Sequence, residues 1–454
     1  MKYKDQPING TGWTEQTAGT VVPSSLYYYQ LRDRLGKSAL KKVMDEPQYN
    51  KYFQPIKITM KKILSIILTL TLSATVFCAT SAKKLEHNEK MAWWRNAKFG
   101  MFVHWGPYCL YGGVYNGFNQ RRGGAEWIMN RCKIPVREYR AKACTFNPVD
   151  FNAEELVLTA KNAGMKYIIF TTKHHDGFAM FKSNASEFNI VDYTPFKRDI
   201  VDELAKACRK HHIKLGFYYS QTQDWCNPGG GTIRKEMKEG WANPDSVAID
   251  NFTQENLGGW DCLQRSASLD DYFRKVAIPQ IKELLTNYGD VAVMWWDTPH
   301  RISKETAAEI TAELAKYPQV ITNDRLRRPD FPGDYKTPEG RIPHAKDIER
   351  VDWETCMNIG SSWGYKSWEK NWKSAETIIR NLNTIAARGG NYLLNVGPDP
   401  TGVVPAPALD CLRKVGEWMR VNGEAIYATQ RSEIFPPWGE CIRKDEKKNS
   451  VYYL

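Results

Sequence analysis

At least six segments of this chain repeat one order: a β-prone run, a loop carrying polar residues, and an amphipathic helix. Strands joined by crossover helices form a parallel sheet, and this many units favour closure into a barrel. The pattern predicts a (β/α)8-like TIM barrel over residues 83–428. The predicted strands include residues 101–103, 167–172, 214–219, 291–297 and 391–396, and the predicted helices include 154–162, 200–212, 269–288, 304–317 and 406–420.

The strand over residues 291–297, Val-Ala-Val-Met-Trp-Trp-Asp, is apolar until it ends on a carboxylate. Pro299 cannot extend a ladder of hydrogen bonds, so Asp297 is predicted at the carboxyl end of a buried parallel strand. The catalytic residues of barrel enzymes lie at that end of the strands. Side chains alternate along a strand, which places the Trp295 indole beside that carboxylate. The alternative for this strand taken alone is that Asp297 caps the following helix.

Polar residues recur at the carboxyl ends of the other predicted strands. Because adjacent residues of a strand face opposite sides, at most one of His174 and His175 is expected to reach the barrel centre easily. Glu126 and Trp127 form a second pair of carboxylate and indole in the loop after the first strand, where the alternative is a solvated glutamate. The residues at strand ends are His104, His174, His175, Tyr218, Asp297 and Arg325.

Composition narrows the range of partners. The formal charge is +12, but residues 1–90 carry +7 of it, and the charges of the main body are interspersed with acids, so a nucleic-acid partner is not expected. The 16 Trp and 23 Tyr favour, weakly, a ligand with apolar faces such as a sugar. The cysteines beyond residue 82 show no CxxC spacing, so no zinc ribbon or redox motif is predicted.

The two ends of the chain carry separate predictions. Residues 60–82 have the basic, apolar and small-residue parts of a secretory signal, which predicts a secreted or periplasmic protein and makes residues 1–59 a doubtful extension. The alternative is a short membrane anchor. After residue 428 the pattern turns β-like, with runs at 441–444 and 451–454, so residues 429–454 are predicted to begin a second, truncated β-domain.

Three functions fit these residues. A metal hydrolase could use the histidines with a carboxylate, although no HxH pair is present. A carbohydrate-binding or catalytically inactive barrel could keep the aromatic residues alone. A glycosidase needs an acid on one side of the sugar and a base or nucleophile on the other, and Asp297 with Glu126, Glu339 or Glu354 supplies them. This interpretation gives a role to the histidines, Tyr218 and Arg325 as well, since they can bind the sugar hydroxyls.

The chain resembles the α-L-fucosidases of glycoside hydrolase family 29 through a series of motifs that cover about residues 91–430. Each motif is weak alone, but the set and its order are specific. The motifs are Phe99-Gly-Met-Phe-Val-His-Trp-Gly, Lys173-His-His-Asp-Gly-Phe, Phe217-Tyr-Tyr-Ser, Met294-Trp-Trp-Asp, Asn323-Asp-Arg, Trp353-Glu-Thr-Cys-Met, Trp363-Gly-Tyr and Asn391-Tyr-Leu-Leu-Asn-Val-Gly-Pro.

The resemblance implies an irregular barrel followed by a β-sandwich, and retaining hydrolysis of terminal α-L-fucose without a metal or other cofactor. It implies that Asp297 is the nucleophile. The acid/base residue comes from a variable loop of the family, and Glu339 is preferred to Glu354, whose more regular surroundings suggest structural support. The implied fucose-binding residues are His104, Glu126, Trp127, His174, His175, Tyr218, Trp295 and Arg325.

Overall fold

The computed structural model describes residues 87–454, except for 121–122, 133, 231–266, 300, 345–346, 349–350, 435 and 447–448. The predicted signal at 60–82 and the extension at 1–59 lie outside the described residues. Within the described part, none of the helices combines the length and the apolar character needed to cross a membrane.

Seven parallel strands form one curved sheet. They are β1 Phe99–Val103, β2 Tyr167–Lys173, β3 Lys214–Ser220, β4 Val291–Asp297, β5 Ile321–Thr322, β6 Glu354–Asn358 and β7 Asn391–Val396. Their order in the sheet is β5-β4-β3-β2-β1-β7-β6. Nearly all of their residues are buried, as expected of a parallel sheet covered on both faces. The predicted bounds of β4 and β7 are confirmed to the residue.

An irregular segment, residues 334–340, fills the eighth position between β5 and β6. It is joined to its neighbours by isolated parallel bridges, Asn323 with Tyr335 on one side and Lys336 with Trp353 and Glu339 with Cys356 on the other. This closes the (β/α)8-like barrel that the sequence predicts. The segment itself lies in a part of the chain for which the sequence pattern predicts neither a strand nor a helix.

Helices pack outside most of the strands, and among the residues that the structure describes no α-helix follows β5 or the 334–340 segment. Ser374 caps the helix that begins at Ala375, because its hydroxyl accepts the amide of Thr377. The helix predicted over 269–288 is broken into three parts, with a π-helical turn before Pro279, which has no N–H to continue a regular ladder. The main helices are Ala153–Asn162, Ile200–His211, Leu269–Tyr272, Phe273–Ala277, Ile278–Asn287, Lys304–Leu314, Ala375–Ala387 and Ala406–Asn422.

Large aromatic and apolar side chains fill the inside of the barrel, among them Phe102, Tyr167, Tyr218 and Trp295. A second apolar cluster lies between the strands and the outer helices. The predicted hairpin near the C-terminus is present as Ile442–Asp445 paired with Ser450–Tyr453, and Gln430–Arg431 adds a third antiparallel strand. That these strands begin a β-sandwich stays a prediction. The structure describes eight cysteines, and no two of these eight are joined in a disulfide.

Candidate active site

The six polar residues predicted at strand ends lie together at one mouth of the barrel. Asp297 is the last residue of β4, and Tyr218 of neighbouring β3 reaches it. The His174 ring lies 5.3 Å from Tyr218 and 5.5 Å from the ring of His104, which follows β1. Arg325, three residues after β5, completes the group through an ion pair with Asp297.

Three donors hold the Asp297 carboxylate. Its Oδ2 accepts the Tyr218 hydroxyl at 2.8 Å, and its Oδ1 accepts the Thr298 amide at 2.7 Å and Arg325 Nη1 at 3.0 Å. Burial acts to raise the pKa of Asp297, but the Arg325 charge and the hydrogen bonds outweigh it and lower the pKa below its usual value. The carboxylate is therefore charged and oriented, as a nucleophile requires. It does not cap the next helix, which Ser303 caps instead.

Arg325 connects Asp297 to a second carboxylate. Its Nη2 lies 2.9 Å from Glu339 Oε2, so one guanidinium touches both acids. Thr337, two residues before Glu339, fixes the guanidinium by accepting Nε at its hydroxyl (2.9 Å) and Nη2 at its carbonyl (3.1 Å). One face of the guanidinium lies over the Trp295 ring, with Cζ of Arg325 4.8 Å from the ring centroid. Glu339 keeps 46% of its side chain exposed at the rim.

Both adjacent histidines reach the site, so the expectation that only one would do so is wrong. The rule of alternating faces holds within a strand, but β2 ends at Lys173, and the two rings turn to lie 4.1 Å apart. His174 stacks on Tyr218 with an interplanar angle of 6°. His175 Nε2 lies 3.7 Å from Asp297 Oδ2.

Hydrogen bonds behind the rings select the tautomers of His104 and His175. The Nδ1 of His104 lies 2.7 Å from Asn395 Oδ1, which can only accept. The Nδ1 of His175 lies 2.6 Å from Ser220 Oγ, whose own proton goes to the carbonyl of Gln223. Each Nδ1 therefore carries a proton, so in the neutral ring Nε2 holds the lone pair and can accept a hydrogen bond from a sugar hydroxyl.

Burial favours the neutral form of His104 and His174. Desolvation lowers the pKa of His104 to about 4, although the hydrogen bond to Asn395 and the Asp297 charge act against it. Burial also lowers the pKa of His174 well below its usual value, helped by the neighbouring His175 and His104.

An aromatic wall adjoins the histidines. The Phe102 ring lies 5.0 Å from Trp295 and 6.0 Å from Trp363, and Trp363 lies 5.0 Å from His104. Trp295 also stacks on Tyr218 at 5.6 Å. Apolar ring faces thus stand next to hydroxyl acceptors, which is the combination that a deoxy sugar requires.

Glu126 is buried, so the alternative of a solvated loop glutamate is wrong. Its Oε2 accepts the amide of Gly364 at 2.9 Å, and burial raises its pKa to about 7. The Trp127 indole meets the His175 ring edge-on at 4.9 Å and the Trp225 ring at 5.2 Å. The Trp127 indole therefore joins the same mouth through His175, and the Glu126 carboxylate is buried beside it in the chain.

Glu354 lies beneath the site and not at its mouth. It begins β6 and is fully buried, accepting the Tyr167 hydroxyl at 2.6 Å and the Trp295 indole N–H at 3.1 Å. Burial raises the pKa of this carboxyl to about 7. The contacts fit the structural support that the sequence suggests, because Glu354 holds the inner side of the aromatic wall.

Sequence reasoning did not select several residues that complete the site. Asn395 and Trp363 stand inside the quoted motifs, but neither is a charged residue at a strand end, so nothing singled them out. The hydrophobic periodicity of the sequence does not mark Gln221 as a site residue, yet its Oε1 accepts the amide N–H of Asp297 at 3.0 Å. Ser220 sets the tautomer of His175 from the last position of β3.

Two carboxylates at one barrel mouth, with imidazole acceptors and an aromatic wall between them, define a glycoside hydrolase. A grouping of three or more His, Cys, Asp or Glu side chains able to hold a metal ion is absent from the described ranges.

Comparison with known proteins gives the family. The sequence model described as Alpha-L-fucosidase matches residues 69–424, and the chain belongs to that family, glycoside hydrolase family 29. The plasma α-L-fucosidase of Rattus norvegicus is 30% identical over 425 residues, covering 86% of this chain and 84% of the relative.

Solved structures agree with this assignment. The α-L-fucosidase of Vibrio sp. strain EJY3 is 33% identical with a TM-score of 0.69, over 78% of this chain and 59% of that one. The α-L-fucosidase of Lactobacillus casei, solved with its α-L-fucose product, is 36% identical with a TM-score of 0.63, over 74% of this chain and all of that one.

Proposed function

We propose that the protein is a retaining exo-α-L-fucosidase that removes terminal α-L-fucose from glycans or glycoconjugates. The observation that carries the proposal is the single guanidinium of Arg325 in contact with both Asp297 and Glu339. Retaining glycosidases need two carboxyl groups close together on either side of the anomeric carbon. The family membership supplies the sugar.

In the first step, Asp297 attacks the anomeric carbon and forms a covalent glycosyl-enzyme while Glu339 gives its proton to the departing oxygen. In the second step, water attacks the same carbon, Glu339 takes a proton from that water, and Asp297 leaves. Tyr218 and Arg325 hold Asp297 in its charged form before it attacks, and they stabilise the carboxylate again as it leaves. The partly exposed position of Glu339 leaves room for the aglycone on its side.

Recognition of the sugar divides between polar and apolar groups. His104 and His175 accept hydroxyl protons at Nε2, and Glu126 and Trp127 extend the same polar wall. The rings of Phe102, Trp295 and Trp363 offer an apolar surface for the C5 methyl group, which galactose lacks. A hydrophobic pocket rejects an added hydroxyl by only about 100-fold, so we expect α-L-galactosides to be poor substrates rather than inert.

A panel of 4-nitrophenyl glycosides tests the proposal. We expect rapid hydrolysis of the α-L-fucoside, slow hydrolysis of the α-L-galactoside, and α-L-fucose as the first anomer seen by NMR. The β-anomer as first product would overturn the retaining mechanism. Fucose binding without any hydrolysis would favour an inactive binding barrel, and loss of activity with a chelator, restored by added metal, would favour a metal hydrolase.

Export from the cytoplasm is a separate part of the proposal. It is supported by the arrangement of residues 60–82, where Lys61 and Lys62 precede an apolar run and then small residues. Expression of the full chain followed by mass spectrometry of the mature N-terminus tests it. Cleavage near residue 82 in an exported protein supports export, and an intact N-terminus inside the cell contradicts it.

A further inference from the structure

The segment that carries Glu339 is the least regular part of the barrel wall. Its backbone meets β5 through the amide of Asp334 and the carbonyl of Thr322, at 2.7 Å. On the β6 side, Lys336 and Gly340 form three bonds that span residues 352–356. Pro338 precedes Glu339 and has no N–H to give. The backbone alone therefore fixes the position of Glu339 less firmly than β4 fixes Asp297.

A helix at the opposite end of the barrel contacts both this segment and the residues that precede β6. Residues 87–97 are helical, and Lys90 of this helix binds both oxygens of Asp334 at 3.0 and 3.2 Å. Arg95 makes a bidentate pair with Asp352, at 2.8 and 2.7 Å, two residues before β6 begins. Bidentate arginine pairs fix geometry as well as charge.

The same helix packs against the segment through an aromatic contact. Trp94 is fully buried, and its ring lies 4.7 Å from that of Tyr335. Its carbonyl accepts the side-chain amide of Asn391, the first residue of β7, at 2.8 Å. Asp334 in turn accepts the amide of Thr322 at 2.8 Å, which ties the helix to β5. The helix thus holds the segment and the strand on each side of it.

We infer that helix 87–97 positions the acid/base residue Glu339 from the far end of the barrel, through its contacts with Asp334, Tyr335 and Asp352. Asp334 lies five residues before Glu339, which corresponds to about 16 Å along an extended chain. Thr337 lies on the same path and fixes Arg325. Release of the segment would move Glu339 while Asp297, on regular β4, stays in place. This inference rests on the proposed function.

The expected signature is selective loss of acid catalysis. The parameter kcat/KM reports the first step, in which Glu339 protonates the leaving oxygen. A 2,4-dinitrophenolate leaves without that proton, whereas a phenolate needs it. The ratio of kcat/KM for 2,4-dinitrophenyl α-L-fucoside to that for phenyl α-L-fucoside therefore measures the use of the acid. Both values come from one preparation, so the ratio is independent of the fraction folded.

The test compares this ratio in wild type, Lys90→Met with Arg95→Met, and a control, Arg198→Met. Arg198 makes an equally good bidentate pair with Glu203, at 2.8 and 2.7 Å, on the outside of the barrel. We expect the ratio to rise on the order of tenfold in the double variant, since misplacement by about 1 Å can cost about 100-fold. We expect the ratio of Arg198→Met to equal that of wild type. In the double variant, replacement of Arg95 by Lys instead of Met should return the ratio part of the way to the wild-type value.

Two outcomes are distinguishable from each other. An unchanged ratio in the double variant, with wild type active on both fucosides, would overturn the positioning role while leaving the proposed function intact. Wild type inactive on both fucosides would overturn the proposed function itself. Glu339→Ala gives the upper limit of the ratio, because it removes the acid completely.

Discussion

The hydroxyl of Tyr218 donates a hydrogen bond to Oδ2 of Asp297 at 2.8 Å. This bond helps to lower the pKa of Asp297 against burial, together with Arg325. Removal of the hydroxyl in Tyr218→Phe destabilises the charged carboxylate, so its pKa rises. We expect the acid limb of the profile of kcat/KM against pH to move to higher pH, and kcat/KM to fall about 10- to 100-fold, the effect of a hydrogen bond to a charged group.

The neighbouring Tyr219 provides a matched control for that measurement. Its hydroxyl donates to Gln280 on the outer side of the sheet at 2.7 Å. Tyr219→Phe removes the same atom from the same strand without touching Asp297, so its acid limb should stay where the wild-type limb lies. An acid limb of Tyr218→Phe that stays unchanged or moves to lower pH would contradict the role given to this bond.

Glu339 and Glu354 are separated by chemical rescue. We expect Glu339→Ala to lose activity on phenyl α-L-fucoside by on the order of 100-fold or more, and to keep most activity on 2,4-dinitrophenyl α-L-fucoside. Azide should accelerate the variant and yield α-L-fucosyl azide, because Asp297 still forms the covalent intermediate and azide takes the place of water in the second step. Glu354→Ala should show no azide product, since the carboxyl lies beneath Trp295 and away from the anomeric carbon. Azide product from Glu354→Ala alone would reverse the assignment.

Burial of Glu354 makes stability depend on pH. Its pKa is about 7 in the folded protein and about 4.3 when unfolded. A folded pKa above the unfolded one gives stability that is present below pH 4.3 and is lost as pH rises through 7. We expect the free energy of unfolding of wild type, minus that of Glu354→Gln, to fall by about 3 kcal/mol between pH 4.5 and 7.5.

Denaturant unfolding at four pH values measures that difference. Glu376→Gln is the control, because Glu376 is exposed at a helix start and its pKa is lowered, mainly by Ser374. Its difference from wild type should not fall as pH rises. A flat difference for Glu354→Gln would mean that the buried carboxyl does not carry a raised pKa.

The sequence predicts most of the barrel because apolar runs and amphipathic helices alternate clearly along it. It predicts Val291–Asp297 to the residue, since the run is continuous and ends on a charge. It does not predict 334–340 as the eighth wall element, because this segment has no apolar periodicity, contains Pro338 and is held by side chains distant in sequence. It also fails for His174 and His175, since the strand ends one residue before them.

The tautomer of His175 gives the last prediction. Ser220 accepts the Nδ1 proton of this ring at 2.6 Å and donates its own to Gln223 at 3.0 Å, which leaves Nε2 to accept a hydroxyl beside Asp297. Ser220→Ala removes the acceptor from a buried N–H, so the ring is free to move its proton to Nε2 and lose the acceptor that faces the sugar. We expect the Kd for L-fucose to rise about tenfold, the effect of one hydrogen bond.

Calorimetric titration of L-fucose measures this Kd, and Thr286→Ala, which removes an exposed hydroxyl bonded to Lys282 on an outer helix, serves as the control. The prediction is specific to tautomer choice, because the hydrogen bond that His175 Nδ1 donates to Ser220 lies behind the ring, away from Nε2. A series of L-fucose analogues, each with one hydroxyl replaced by fluorine, which cannot donate, identifies the hydroxyl that Nε2 accepts. Replacement of that hydroxyl should lower the affinity of wild type and should hardly change the affinity of Ser220→Ala, which has already lost the acceptor. Equal losses in both proteins at every position would show that Ser220 does not set the acceptor.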